Sequence, residues 1–304
     1  MKTWDVIIIG GGGAGLTAAL YTSRAKLSTL LLEKLVPGGQ IALTDVVENY
    51  PGFPEGITGP EISQKMEAQA KKYGTEFLYE EVRGLSKQGK NFEVKTASGA
   101  HQTRSIILAA GASFRTLGVG GEKELTGRGV SYCATCDGAF FKDKEIIVVG
   151  GGDSAMQEGL FLTRFANTVT VIHRRDKLRA SPILQERAHK DPKIKFVWDT
   201  VVEKVQGEKK VEGVKLKNLK SGDSSDFRTD GVFVFIGHDP NTSFLKGFVE
   251  FDEAGYVKAG DGLKTSVPGV FAAGEIRGGA VKQLVAACGE GCEAALAAQA
   301  YLEH

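Results

Sequence analysis

Within the stretch SYCATCDGAFF two cysteines, Cys133 and Cys136, stand two residues apart, followed at once by Asp137 and soon after by Phe140 and Phe141. Three chemistries use such a pair: zinc ligation, a structural disulfide, and thiol–disulfide exchange. A zinc ribbon needs four ligands, commonly two CxxC pairs, and this chain has one pair with no His or Cys at matching distance. No metal is expected. A structural disulfide across two intervening residues constrains little chain, and a reducing cytosol would open it. The spacing therefore favours a redox dithiol, in which one thiolate attacks and the other resolves. Asp137 has two readings: a helix cap, or a carboxyl group with a burial-raised pKa that delivers a proton to the departing thiolate. Cys288 and Cys292, i and i+4 in an Ala-rich helix, share one face and are assigned to packing.

The elements that would serve such a dithiol are written twice along the chain. WDVIIIGGGGAG reads as a buried strand running into Gly10-x-Gly12-x-x-Gly15, LTAALYTSRA as a helix and TLLLEK as a second strand. This is the βαβ unit whose glycines let backbone N–H groups reach a pyrophosphate at the helix N-terminus. Glu33 ends the second strand, where a carboxylate can accept ribose hydroxyls. The pattern recurs as Gly150-x-Gly152-x-x-Ala155, with TVTVIH as its second strand and His173 at the interval from Gly150 that Glu33 keeps from Gly10. A carboxylate at that strand end would repel a 2′-phosphate, whereas His173, Arg174, Arg175 and Arg179 offer cationic donors. The first site accordingly suits FAD or NAD and the second NADPH. The solvated charge run, the usual fate of a stretch such as HRRDKLR, is the competing reading.

Other segments complete the frame. KFVWDTVVEKV and VEGVKLKNL look like hairpin strands, and a last strand and long helix after TSVPGVFAAGE complete the first domain's sheet, making that domain discontinuous. A chain of 304 residues exceeds one ordinary hydrophobic core, so two domains are expected. A net charge of +1 removes the main electrostatic support for nucleic acid or an anionic membrane as partner. Four cysteines are too few for a secreted disulfide framework, which points to a reducing, cytoplasmic setting. Asp5 and the glycine run interrupt any signal-peptide core, and no segment approaches the roughly 18 apolar residues of a membrane span.

With GxGxxG, CATCDG, GGGDSA, HRRDKLRA, ENYPGFP, GHDPNT and FAAGE in this order, the chain resembles low-molecular-weight, bacterial-type thioredoxin reductases over essentially its whole length. The larger glutathione-reductase-like enzymes instead carry CxxxxC in the FAD domain. The resemblance implies an α/β fold of two Rossmann-like dinucleotide-binding domains, with residues 116–244 (NADPH and the dithiol) inserted into an FAD domain formed by residues 1–115 and 245–304. It implies that Cys136 faces the flavin as the charge-transfer thiol, that Cys133 attacks the thioredoxin disulfide, and that Asp137 is the acid/base. Flavin contacts are implied for Gly10, Gly12, Gly15, Glu33, Gly39, Gln40, Asn49, Gly111, Glu275, Lys282 and Gln283. NADPH contacts are implied for Gly150, Gly152, Asp153, Ser154, His173, Arg174, Arg175 and Arg179.

Family members are homodimers whose NADPH lobe swings, which places hinges near residues 112–120 and 240–246, around Gly118, Gly120, Gly121, Pro240 and Asn241. Phe140 and Phe141 are read as core residues by default, or as an apolar patch for thioredoxin. The chain departs from the family at Ala110 (usually Thr, before Gly111), Glu275 (usually Asp) and Lys282 (usually Arg); Glu275 lengthens the reach of the carboxylate and Lys282 lacks the planar fork of Arg. The implied function is NADPH-dependent reduction of thioredoxin through FAD and the Cys133/Cys136 dithiol. Its rivals are a reductase of another small disulfide carrier and a redox sensor that does not turn over.

Overall fold

The computed structural model describes residues 2–44, 46–47 and 49–303. The chain forms two compact units, Met1–Ser113 with Asp239–His304, and Phe114–His238.

The first unit opens with β1 (Thr3–Ile9), α1 (Gly13–Arg24) and β2 (Thr29–Leu32), followed by α2 (Gly59–Lys72), β3 (Glu76–Leu78), β4 (Gly84–Gln88), β5 (Asn91–Lys95) and β6 (Ala100–Leu108). Its sheet runs β3-β2-β1-β6-β5-β4, parallel from β3 to β6 and antiparallel beyond. The uninterrupted apolar run in β1 follows from cover on both faces of the sheet. Ile7, Ile9, Leu30, Leu32, Ile106 and Leu108 share one core, while Val6, Ile8, Leu31 and Ile107 pack on the other face with Leu16, Ala18 and Ala19 of α1. The period-two alternation within β1 sorts these residues between the two cores.

The chain leaves this unit through β7 (Ala112–Phe114). The second unit holds β8 (Val130–Ser131), α3 (Ala134–Asp137), β9 (Glu145–Val149), α4 (Asp153–Leu162), β10 (Thr168–Ile172), α5 (Pro182–Lys190), β11 (Ile194–Val197), β12 (Thr200–Gln206), β13 (Gly213–Asn218), β14 (Ser224–Arg228) and β15 (Gly231–Val234). A parallel sheet in the order β11-β10-β9-β15-β8 carries α4 and α5 on one face. The antiparallel sheet β12-β13-β14 covers the other, through Val202, Val205, Val214 and Leu216. KFVWDTVVEKV is therefore not one hairpin strand. Its first part, β11, extends the parallel sheet with Val197 opposite Ile172, and only its second part, β12, pairs with β13. Asp199, at φ 53°, turns the chain between the two.

The chain returns through β16 (His238–Pro240), and β17 (Val270–Ala272) joins the first unit's sheet beside β6, with Val270 opposite Ile106. β6 is long enough to pair with β5 through residues 100–103 and with β17 through 106–108. Helix α6 (Leu284–Leu302) then lays Ala294, Ala295 and Ala298 against the core that α1 also covers. The architecture is thus two Rossmann-like α/β units, the second inserted into the first. Among the described residues no helix is long and apolar enough to cross a membrane.

Candidate functional site

In the first unit the expected dinucleotide residues gather at the start of α1. Gly10 follows β1 at φ 104°, and a Cβ there would lie 2.4 Å from the Ala109 carbonyl oxygen. A Cβ on Gly15 would lie 1.8 Å from the Gly10 oxygen, so only glycine lets α1 begin this close to the strand. Gly12 is the N-cap and has open space on its Cβ side, and no side chain caps the helix. Its first-turn N–H groups are thereby left to an anion. Glu33 accepts from Gly11 N at 2.7 Å through Oε2 and from Leu35 N at 3.0 Å through Oε1, which fixes the carboxylate beside the turn. Gly38 donates to the Gly11 oxygen at 2.7 Å, placing Gly39 within contact of Gly12.

Three further groups reach the same region. Gln283, the N-cap of α6, accepts from Asn49 Nδ2 at 3.0 Å, and the following Leu284 packs over Gly13. The Gln40 amide donates to the Ala112 oxygen, and Asn241 holds the Ala110 and Gly111 oxygens at 2.8 and 3.0 Å, with Gly111 at φ 64°. Glu275 lies in the turn after β17, where Gly274 abuts Ala14. Its Oε2 is buried without a hydrogen-bond partner, and burial pushes its pKa up against the opposing charge of Lys282. A buried, unpartnered carboxyl oxygen is costly unless a donor arrives. The open, uncapped helix start and this waiting acceptor fit a ligand with a diphosphate and hydroxyl groups.

Sequence reasoning missed the pair that holds the Glu275 turn. Glu290 of α6 accepts from Gly274 N at 2.7 Å and from Arg277 Nε at 2.8 Å, and also bonds Arg277 Nη2; both side chains are mostly buried. In the sequence Glu290 registers only as a charge in an apolar helix.

The second unit repeats the turn with a looser fit. Gly150, at φ 148°, would place a Cβ 2.4 Å from the Phe235 oxygen, and Ala155 stands where the first copy has Gly15. Gly152 is again an uncapped N-cap with open space. Asp153 and Ser154 are exposed in the first turn of α4, and Asp153 Oδ1 accepts from Ser181 N. Arg179 and Ala180 donate their backbone N–H groups to the Gly151 oxygen at 2.7 and 3.2 Å, which folds the basic loop over the turn. Arg174, Arg175 and Arg179 are exposed, and among the described residues none of them pairs with a carboxylate.

His173 corrects the expectation of a cationic donor. It is 4% exposed, its ring lies against Gly151 and edge-on to Trp198, and its pKa is lowered by burial and by the charges of Arg179, Arg174 and Arg175. The ring packs under the turn, and burial and the neighbouring arginines both work against a positive charge on it.

Cys133 and Cys136 form a disulfide in the same unit. Cys133 is the N-cap of α3, and its Sγ accepts from Cys136 N at 3.2 Å. Ser131 accepts from Cys133 N at 3.1 Å and donates to the Cys133 oxygen at 3.2 Å. Asp137 ends α3, and its side chain does not cap the turn that follows. The two phenylalanines divide: Phe141 is 7% exposed and packs edge-on to Phe233 at 5.0 Å, while Phe140 is 43% exposed. A docking role for Phe141 is thereby withdrawn. Cys288 is buried with its thiol toward the Gly13 oxygen at 3.7 Å, and Cys292 is partly buried; both are free thiols.

Comparison with known proteins bears on the same features. Residues 4–291 match the family described as pyridine nucleotide-disulphide oxidoreductase. The chain is 52% identical over 304 residues to a thioredoxin reductase of Bacillus subtilis, covering 99% of this chain and 96% of that one. A thioredoxin reductase of Streptomyces coelicolor is 48% identical over 301 residues, covering 98% and 94%. Among solved structures, thioredoxin reductase from Streptococcus pyogenes superposes with a TM-score of 0.95 at 44% identity, covering 99% of this chain and 98% of that one.

Proposed function

We propose, from the premise that this chain belongs to the pyridine nucleotide-disulphide oxidoreductase family and within it to the thioredoxin reductases, that it uses NADPH to reduce the disulfide of a thioredoxin. Its cofactors are FAD and NADPH. The observation that carries the reading is the Cys133–Cys136 disulfide, held in one unit with a dinucleotide turn. FAD, when bound, takes a hydride equivalent from NADPH and passes two electrons to that disulfide.

The chain's own residues do the rest. The uncapped start of α1, Gly12 and Gly39 receive the diphosphate of FAD, Glu33 and Glu275 accept from its hydroxyl groups, and Gln40, Asn49, Gly111, Lys282 and Gln283 surround it. Gly150, Gly152, Asp153 and Ser154 receive NADPH, and Arg174, Arg175 and Arg179 its 2′-phosphate. Cys133 is the attacking thiol: the Cys136 N–H that its sulfur accepts from stabilises a thiolate there. Cys133 attacks a carrier sulfur, Cys136 then attacks Cys133 to free the reduced carrier, and Asp137 returns a proton to the leaving thiolate. Overall, NADPH, a proton and the carrier disulfide become NADP⁺ and the carrier dithiol.

We assign the protein to the cytoplasm, in keeping with a cysteine count too low for a secreted disulfide framework, and to a homodimer. An apolar stripe supports the dimer: Val285 and Leu296 of α6 and Tyr21 of α1 are 48%, 54% and 41% exposed. The decisive experiment follows NADPH oxidation with thioredoxin and a panel of other carriers. Steady turnover favouring thioredoxin, abolished in Cys133→Ser, is expected; turnover that survives Cys133→Ser, or none with any carrier, would refute the reading.

A further inference from the structure

We propose that Glu122 and Tyr132 are positioning residues for the Cys133–Cys136 pair, fixing the residue before Cys133 to the segment by which the chain enters the second unit; this rests on the disulfide-reductase reading above.

Glu122 is 3% exposed and is the only acidic side chain in the fully buried set among the described residues. Its carboxylate gathers donors. Oε1 accepts from Leu117 N and from the Tyr132 hydroxyl, each at 2.8 Å, and Oε2 accepts from Gly118 N at 2.8 Å. A buried carboxyl group is tolerated only where donors surround it, and once they do it admits few other arrangements. Leu117 and Gly118 lie on the segment that starts the unit. Tyr132 belongs to the strand end that carries the dithiol.

The aromatic ring makes a second tie. Tyr132 stacks on Phe114 with centroids 5.1 Å apart and planes 18° from parallel, and Phe114 is itself 4.8 Å from the His238 ring. Phe114 and His238 are the first and last residues of the unit. Tyr132 is thus held at both ends, ring by Phe114 and hydroxyl by Glu122. Burial and Glu122 push its phenol pKa up, so it remains a donor across the working pH range.

Little slack separates this anchor from the sulfurs. The next residue is Cys133, whose backbone is gripped on both sides by the buried Ser131 hydroxyl. Behind it, the Thr126 hydroxyl donates to the Glu122 backbone carbonyl oxygen at 2.8 Å and Val130 N to the Leu125 carbonyl oxygen at 3.1 Å, closing the loop between Glu122 and β8. Exchange between sulfurs depends on distance and alignment of the attacking and leaving atoms, so a tilt of Tyr132 is transmitted to the reacting centre.

The test uses full-length FAD-loaded protein carrying Glu122→Gln or Tyr132→Phe, the latter keeping the stack on Phe114. Three quantities are read: kcat with thioredoxin, the equilibrium of the Cys133–Cys136 pair against dithiothreitol redox buffers, and NADPH oxidation with ferricyanide, which bypasses the dithiol. Both variants are expected to lose about tenfold in kcat, in line with removal of one hydrogen bond to a charged group. The dithiol equilibrium moves with it, and ferricyanide turnover stays within about twofold, inside the spread of additive effects. Variants that merely melt earlier, with kcat and the dithiol equilibrium unchanged, overturn the proposal. Should Glu122→Gln fail to fold, Tyr132→Phe decides alone. A moved dithiol equilibrium in a protein whose wild type does not reduce thioredoxin would uphold the positioning and defeat the substrate assignment.

Discussion

Gly291 of α6 lies against Ala14 of α1 so closely that a Cβ at 291 would fall 2.1 Å from the Ala14 carbonyl oxygen. Two effects then compete in Gly291→Ala. Alanine gains up to about 1 kcal/mol of helix propensity, but a collision with backbone cannot be relieved by a rotamer and costs about 1–3 kcal/mol. The collision should win. Because Ala14 belongs to the first turn of α1, the variant is expected to lose FAD on dialysis as well as to unfold at lower denaturant. Wild-type flavin retention and stability would show that the crossing has more room than its geometry indicates.

Glu275 predicts a pH-dependent stability in protein stripped of FAD. Its folded pKa is raised, so ionisation is penalised in the folded state; the penalty is present above the folded pKa and fades as pH falls through it toward the ordinary value of 4.5. Glu275→Gln removes the penalty. The apo variant should be more stable than the apo wild type at pH 8, with the gap closing near pH 4, in urea titrations at the two pH values. An equal gap at both would mean that the effect is not electrostatic.

Arg174→Gln and Arg175→Gln should each reduce the preference for NADPH over NADH by about tenfold, the scale of a charge-assisted hydrogen bond. The preference should also stay flat from pH 6.5 to 8, since His173 is held neutral. A preference that falls as histidine deprotonates would return His173 to the role of a cation.

The adjacent phenylalanines should separate cleanly. Phe141→Ala empties a core position against Phe233 and should cost about 3–5 kcal/mol of stability. Phe140→Ala, at an exposed site, should leave stability within about 0.5 kcal/mol and raise KM for thioredoxin. Unchanged KM in Phe140→Ala removes it from the docking surface.

What the sequence made legible was whatever depends on local pattern. The two glycine turns, Glu33 and His173 at the ends of their second strands, and the return of a strand and helix to the first sheet follow from periodicity and spacing, and they stand in the structure. What it hid depends on partners distant in sequence. Nothing local marks Glu290 as the holder of Gly274 and Arg277, or Glu122 as the acceptor for Tyr132. His173 shows the limit of local pattern: a histidine beside three arginines reads as a fourth charge, yet those charges together with burial lower its pKa. KFVWDTVVEKV misled because an apolar run carries no mark of a left-handed turn at Asp199.

The discontinuity of the first unit has a consequence for biosynthesis. Residues 114–238 are complete before β17 and α6 have been made, and they hold all the strands of their own two sheets. β6 and α1, made much earlier, wait for β17 and α6 to cover them. A nascent chain stalled before residue 270 would present an unfinished sheet edge and a bare helix face to its surroundings, the kind of surface that chaperones bind and that aggregates when they do not.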